Sequence, residues 1–250
     1  MNTMRFRVTL APWPDQNGSP PVLRYDYQHG ISSMIYSLLI DAKPEFKGLH
    51  DATDYKYFTF SRLEVPRRRA LSEGLAILCN DTYLWFSSVD DALAKTMANL
   101  LIRQQSVQFG GVKFAVVNVA VPASYEPRGQ QETFVTMSPI VLRTDIDSEG
   151  TSKTWDLEPS DRRFVERLTA NLRRKYERYY EKPCSGEVRV ESITNTKQQR
   201  IVLGEVSHRA HLMDITIQGP PEILKFAHEC GLGEKNSMGF GMVRLRNDAT

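Results

Sequence analysis

Cysteine is scarce: Cys79, Cys184 and Cys230 are the only three in 250 residues. An odd number without metal-ligand spacing argues for a reduced, cytoplasmic setting and against a disulfide framework. No run of 18 apolar residues occurs, which excludes a membrane-spanning helix. The N-terminal Met-Asn-Thr-Met-Arg-Phe-Arg lacks the apolar core of a secretory leader. Excess charge is also missing, because a net charge of +2 neither demands nor forbids a polyanionic partner. Clustered metal ligands are absent too. Asp51-Ala-Thr-Asp54 and Asp90-Asp91 are the nearest acidic groupings, and neither forms a metal motif. There is no Gly-x-Ser-x-Gly elbow and no Gly-Lys-Ser/Thr ending of a P-loop. No metal and no cofactor is expected.

Glycine, by contrast, is concentrated. Four of the 15 glycines fall within eleven positions near the C-terminus, in Gly231-Leu-Gly233-Glu-Lys-Asn-Ser-Met-Gly239-Phe-Gly241. Glycine admits positive φ and lets backbone approach a ligand. With Lys235, Asn236 and Ser237 between the two pairs, the loop reads as an anion cradle of backbone N–H groups. A helix cap followed by a bulged turn is the plainer alternative. The order argues against a nucleotide fingerprint, which follows a strand and opens a helix. Here Glu222 to Cys230 reads as a helix opening after Pro220-Pro221, with Gly231 as its closing glycine. Phe240 to Arg246 reads as the strand that follows.

Alternation and helical spacing lay out the rest. Met4 to Leu10 alternates Phe6, Val8 and Leu10 against Arg5, Arg7 and Thr9, a half-buried strand with a basic outer face. Gln28 to Ile40 has helical spacing at Ile31, Met34, Ile35 and Leu38. A 13-residue connection, Lys43 to Tyr55, leads to a strand over Lys56 to Val65. Leu75 to Cys79 and Tyr83 to Ser87 read as a hairpin about Asn80-Asp81, a pair suited to positive φ. Val89 to Ile102 reads as a helix and Val112 to Val121 as a strand. This is a βαββαβ order. Residues 1–122 form the first expected domain, 123–131 a linker and 132–250 the second. In the second, Thr133 to Arg143 is a strand, a hairpin crosses Asp145 to Ser152, and Asp161 to Tyr180 is a long helix. Strands follow at Glu187 to Ile193, Arg200 to Leu203 and Ala210 to Gln218. The expected class is α+β: two tandem ferredoxin-like, RRM-like βαββαβ domains with a C-terminal glycine-rich loop.

The segment Asp161 to Lys182 carries eight Lys or Arg against four acids. Its apolar stripe is Phe164, Leu168, Leu172, Tyr176 and Tyr179. Arg163, Arg167, Arg174 and Arg178 share another face, which suits a phosphate backbone or is a solvated face laced with i,i+4 pairs. Arg67-Arg68-Arg69 is a shorter basic cluster of the same ambiguity. Among the histidines, His208, His211 and His228 read as structural or solvated. His29 begins the first helix on the face of Ser33 and Tyr36. His50 stands apart, in a connection between helix and strand, where chemistry is often carried. Lys56 follows six residues later, and Tyr36 points off the apolar stripe.

These features together resemble the Cas-six family of CRISPR-RNA-processing endoribonucleases, within the RAMP superfamily. The match is carried by Gly231-Leu-Gly233 and Gly239-Phe-Gly241-Met-Val, by Met34-Ile-Tyr36 and Leu49-His50-Asp51, and by Tyr57-Phe58-Thr59-Phe60-Ser61. Met-Arg-Phe near the N-terminus and Thr136-Met-Ser138-Pro139-Ile140 add to it. The resemblance spans essentially the whole chain and implies two RRM-like domains and a catalytic triad of Tyr36, His50 and Lys56, with His29 in reserve. It implies metal-independent cleavage of precursor transcripts within the repeat, leaving a 2′,3′-cyclic phosphate or 3′-phosphate and a 5′-OH. A histidine titrating near neutrality suits general acid–base work, and a lysine suits growing phosphorane charge. The expected partner is CRISPR repeat RNA, held by Gly231, Gly233, Lys235, Asn236, Ser237, Gly239 and Gly241 and by Arg163, Arg167, Arg174 and Arg178. No membrane is expected, and the protein is a monomer or homodimer. The alternatives are a non-catalytic repeat-RNA-binding subunit of a CRISPR effector complex and a small-molecule phosphate enzyme.

Overall fold

The computed structural model describes residues 4–15, 17–42, 55–148 and 151–247. Strand β1 (Met4–Pro12) does what its alternation dictates: Phe6, Val8 and Leu10 are buried, and Arg5, Arg7 and Thr9 lie on the opposite face. It is followed by β2 (Val22–Arg24), α1 (Tyr27–Ala42), β3 (Phe58–Phe60), β4 (Arg68–Ala70), β5 (Gly74–Ile77) and β6 (Thr82–Ser88). Then come α2 (Asp91–Gln104), β7 (Ser106–Phe109) and β8 (Val112–Ala120). Asp90 caps α2 by accepting from the Leu93 amide at 3.1 Å.

The first sheet has the order β3-β6-β1-β8-β7. Its β1-α1-β3-β6-α2-β8 path places the first and third strands at the centre, the ferredoxin-like arrangement, and β7 is an added edge. Helices α1 and α2 cover one face, where Phe6, Phe58, Phe86 and Phe114 meet Ile31, Ile35, Leu93 and Met97 in one core.

The second unit repeats the plan with β9 (Gln131–Thr136), α3 (Arg162–Tyr180), β12 (Arg189–Leu203), β13 (Val206–Gln218), α4 (Pro221–Cys230) and β14 (Val243–Leu245). Its sheet order is β12-β13-β9-β14. The second, third, first and fourth strands stand in the same order as their counterparts in the first unit. A separate two-stranded ladder, β10 (Arg143–Ser148) with β11 (Thr151–Asp156), is inserted between β9 and α3. The second core joins Phe134, Ile215 and Ile217 of the sheet to Phe164, Leu168, Leu172 and Phe226 of the helices.

Three local expectations are corrected. The hairpin about Asn80-Asp81 does not form, because β5 pairs with β2 and β4 in a small sheet of its own. Its polar edges are occupied there, while β6 pairs with β1 and β3. Neither Asn80 nor Asp81 takes a positive φ. The strand over 56–65 is cut to Phe58–Phe60, since the Arg62 amide turns away to donate to the Met137 carbonyl of the second unit at 3.2 Å. Conversely, the two strands expected at 187–193 and 200–203 are one. The polar Thr194 to Lys197 stretch is a bulge within β12, with Asn195 at φ 54°, and not a loop.

Candidate active site and glycine loop

The glycine loop is the joint between the two units. It leaves α4 at Gly231, whose amide donates to the Ala227 carbonyl at 3.0 Å. It then makes a 3₁₀ turn at Asn236–Met238 before β14. Several of its amides donate within the protein: Leu232 to Gly241 O (2.8 Å), Glu234 to Val141 O (2.9 Å), Gly239 to Asn236 O and Gly241 to Pro139 O (both 2.9 Å). Two glycines are indispensable to this packing. A Cβ at Gly241, φ +71°, would stand 1.8 Å from the Leu232 carbonyl oxygen, and one at Gly239, φ +84°, would stand 2.4 Å from the Phe60 ring. These amides of the expected cradle are therefore paired within the protein.

Its inner side is held by a lysine that the sequence marks only as one of the eight basic residues of the Asp161 to Lys182 segment. Lys175 of α3 is 1% exposed. Its ammonium donates to Gly231 O at 2.8 Å, Gly233 O at 3.2 Å and Asn236 Oδ1 at 2.8 Å. Three donors meet three acceptors. Burial pushes its pKa down, against which Cys230 and Glu234 act. The Asn236 amide completes the strap by donating to Leu232 O and Phe240 O, both at 3.0 Å.

The outer side meets the first unit through α1 and β3. Gln28 donates to Gly239 O, Ser32 Oγ to Ser237 O at 3.2 Å, and Thr59 Oγ1 to Phe240 O at 3.0 Å. Tyr36 also hydrogen-bonds with Ser237. Gln28, Ser32 and Tyr36 are four residues apart, one polar stripe along α1 beside its apolar face of Ile31, Ile35 and Leu39. Burial raises the Tyr36 phenol above its ordinary pKa, and the Ser237 contact opposes this. The Tyr36 ring meets Phe58 edge-on at 5.9 Å.

Lys56 is half-buried, two residues before Phe58. Between them Tyr57 takes a left-handed φ of 52°, a conformation a bulky residue adopts at a cost. It is fixed there by donors from Ser88 Oγ (2.9 Å) and the Val89 amide (3.3 Å) to its carbonyl, and by its ring against Tyr179 at 4.9 Å. These contacts hold Tyr57, the residue that follows Lys56. His50, the third expected member, lies outside the described residues. His29 is exposed in the first turn of α1. It is seven residues from Tyr36, about 10 Å along a helix rising 1.5 Å per residue.

The remaining expected RNA contacts separate by burial. Asn236 and Ser237 turn into the protein, whereas Lys235 is half-buried and left-handed at φ 56°, its pKa lowered by burial and by Arg143. Arg163, Arg167, Arg174 and Arg178 are all exposed on α3. Arg163 pairs with its own N-cap, Asp161, at 2.6 Å, and Arg167 donates to Thr144 Oγ1 at 3.3 Å. Reading from sequence missed Lys175, Gln28, Ser32, Thr59 and Arg5. Arg5 crosses from β1 to donate to His228 Nε2 (2.8 Å), His228 O and Val243 O (both 2.7 Å). Signals existed for three of these. Lys175 continues the Phe164-Leu168-Leu172 stripe, and Gln28 and Ser32 share the spacing of Tyr36.

Comparison with known proteins gives these features a common setting. Residues 22–120 match the family described as CRISPR-associated protein Cas6, N-terminal, and residues 123–245 match CRISPR associated protein Cas6, C-terminal. The chain is 32% identical over 245 residues to the CRISPR-associated endoribonuclease Cas6 1 of Methanocaldococcus jannaschii, covering 96% of this chain and 92% of that one. It is 31% identical over 245 residues to the CRISPR-associated endoribonuclease-like protein Cas6nc of Pyrococcus horikoshii, covering 97% and 99%. A solved structure described as "An RAMP protein binding different RNA substrates" superposes with a TM-score of 0.88 at 29% identity, covering 97% and 99%.

Proposed function

The chain belongs to the Cas6 family. From that premise we propose that it is an endoribonuclease cutting CRISPR repeat RNA without a metal ion, with Tyr36, His50 and Lys56 as the catalytic residues. The observation that carries the proposal is the placement of Tyr36. A half-buried phenol on α1 meets the ring of Phe58, and Lys56 lies two residues before Phe58 in the chain. The relatives' endoribonuclease names and an RNA-binding structural neighbour support the substrate class.

The reaction needs no group beyond these side chains. The 2′-oxygen attacks the adjacent phosphorus as a base removes its proton, and the 5′-oxygen leaves as an acid protonates it. The products are a 2′,3′-cyclic phosphate, or the 3′-phosphate formed from it, and a 5′-OH. His50 serves as acid or base, worth about 10²–10⁴-fold. Lys56 balances the charge that grows on the non-bridging oxygens. Tyr36 orients His50 or supplies the second proton transfer. Lys235 and the arginine face of α3 hold the backbone, and the glycine loop shapes the surface from which Lys235 projects.

Single-turnover cleavage by His50→Ala, Lys56→Ala and Tyr36→Phe tests the assignment. Each is expected to slow cleavage by about 10²-fold or more, with repeat affinity changed less than about threefold for His50→Ala and Tyr36→Phe. Full-rate cutting by His50→Ala would move the histidine role to His29. A second reading is a repeat-RNA binder that does not cut; the chain is 31% identical to a relative named endoribonuclease-like, against 32% to one named endoribonuclease. Tight binding with no cleavage by the unmutated protein would establish it.

A further inference from the structure

Lysine buried on the apolar stripe of α3 is costly, because an ammonium loses its water and recovers only what its acceptors return. A leucine would continue the Phe164-Leu168-Leu172 stripe without that cost. The acceptors of Lys175 therefore show what it is for. All three, Gly231 O, Gly233 O and Asn236 Oδ1, lie on the glycine loop and on nothing else.

We infer that Lys175 is a positioning residue for Tyr36, acting across the interface between the units through the glycine loop. The path is continuous. Lys175 holds Asn236 Oδ1, and Asn236 Nδ2 holds the carbonyls of Leu232 and Phe240 at either end of the turn. Ser237, the next residue, meets Ser32 and Tyr36 of α1. Gly239 O accepts from Gln28, and Phe240 O accepts from Thr59 beside Phe58. The loop is braced from the second unit at its back and presses on the helix that carries Tyr36 at its front. The second unit thereby sets the geometry of a site that the first unit carries.

This role rests on Tyr36 acting in cleavage, so the test includes a readout that does not need cleavage. Lys175→Met keeps the length of the chain and removes the donors. Single-turnover cleavage by this variant is expected to fall about 10²-fold, the usual cost of misplacing a reacting group by about 1 Å. Affinity for a repeat RNA with a 2′-deoxy cut site should stay within about threefold. In a Tyr36→Phe background the same substitution should cost less than about threefold more, because its effect runs through the hydroxyl already removed. In parallel, 3-fluorotyrosine at position 36 should show a shifted and broadened fluorine signal in Lys175→Met and in Asn236→Ala. Asn236→Ala loosens the strap without emptying the lysine site, so it serves if Lys175→Met does not fold. Multiplicative losses in the double variant, or rate and affinity falling together, would overturn the role. An unchanged fluorine signal would overturn it whether or not the protein cuts, whereas failure of the wild-type protein to cut would overturn only the proposed function.

Discussion

The glycine loop and the arginine face of α3 look alike in the sequence, each a place for phosphate, and the fold makes them opposites. The loop is largely buried, with several of its amides bonded to protein, its asparagine turned inward and a lysine beneath it. The arginines stand in solvent, one paired with its own helix cap. Glycine spacing and basic stripes therefore carry separate information. Glycines at Gly239 and Gly241 report where backbones must approach closely. Charges that miss the apolar stripe report what is left over for a polyanion, and Lys175, which lies on the stripe, belongs with the loop.

The largest effect expected from this contrast is on stability. Gly241→Ala drives a Cβ into the Leu232 carbonyl at a φ alanine avoids, and should cost more than about 3 kcal/mol. Gly129→Ala, where no atom lies within 4 Å, should change stability by less than about 0.5 kcal/mol. Equal denaturant midpoints for the two would break the distinction between a packed joint and a plain loop.

Next in size is an acid sensitivity of the same joint. Burial, and then the Arg5 guanidinium, hold the His228 pKa well below the usual histidine value. Arg5 can only donate, so Nε2 accepts and the folded ring is neutral. The unfolded chain takes up a proton near pH 6.5 that the folded one refuses. Stability is therefore full above that pH and falls as pH drops toward the lowered value, by at most about 1.4 kcal/mol per unit. His211, also lowered chiefly by burial, acts in the same direction. Unfolding midpoints at pH 7 and pH 5 measure the loss, and His228→Gln should flatten it. A midpoint indifferent to pH in the wild type would contradict the neutral assignment.

The smallest effect on the fold belongs to the exposed face. Replacing Arg174 and Arg178 together by Ala should leave stability within about 0.5 kcal/mol. It should lower the slope of log affinity against log salt by about 2, one for each phosphate contact removed, and spare the cleavage rate at saturating protein. An unaltered slope would turn that face into a solvated surface and leave Lys235 as the basic contact of this half.

Much of this was legible in advance, and what was not has identifiable causes. Strand β1, helix α3 and the βαββαβ order follow from periodicity, which tertiary contacts reinforce. The hairpin at Asn80-Asp81 misled because a turn signal names a reversal and not a partner, and β5 found other neighbours. The bulge in β12 looked like a loop because polar residues at an exposed edge carry no inward pattern. Tyr36 and Lys56 could be marked by type and spacing. The residues that brace Tyr36 were harder to mark: Ser32 and Lys175 carry only a helical spacing, and Thr59 is an ordinary letter until the two units face each other across the loop.

The central claim is that this chain cuts RNA with side chains alone. Repeat RNA incubated with the protein in EDTA, followed by end-group analysis, asks that directly. Cleavage once per repeat, leaving a 2′,3′-cyclic phosphate or 3′-phosphate and a 5′-OH, is the predicted result. Intact RNA bound tightly, cleavage abolished by the chelator, or products carrying a 5′-phosphate would contradict it.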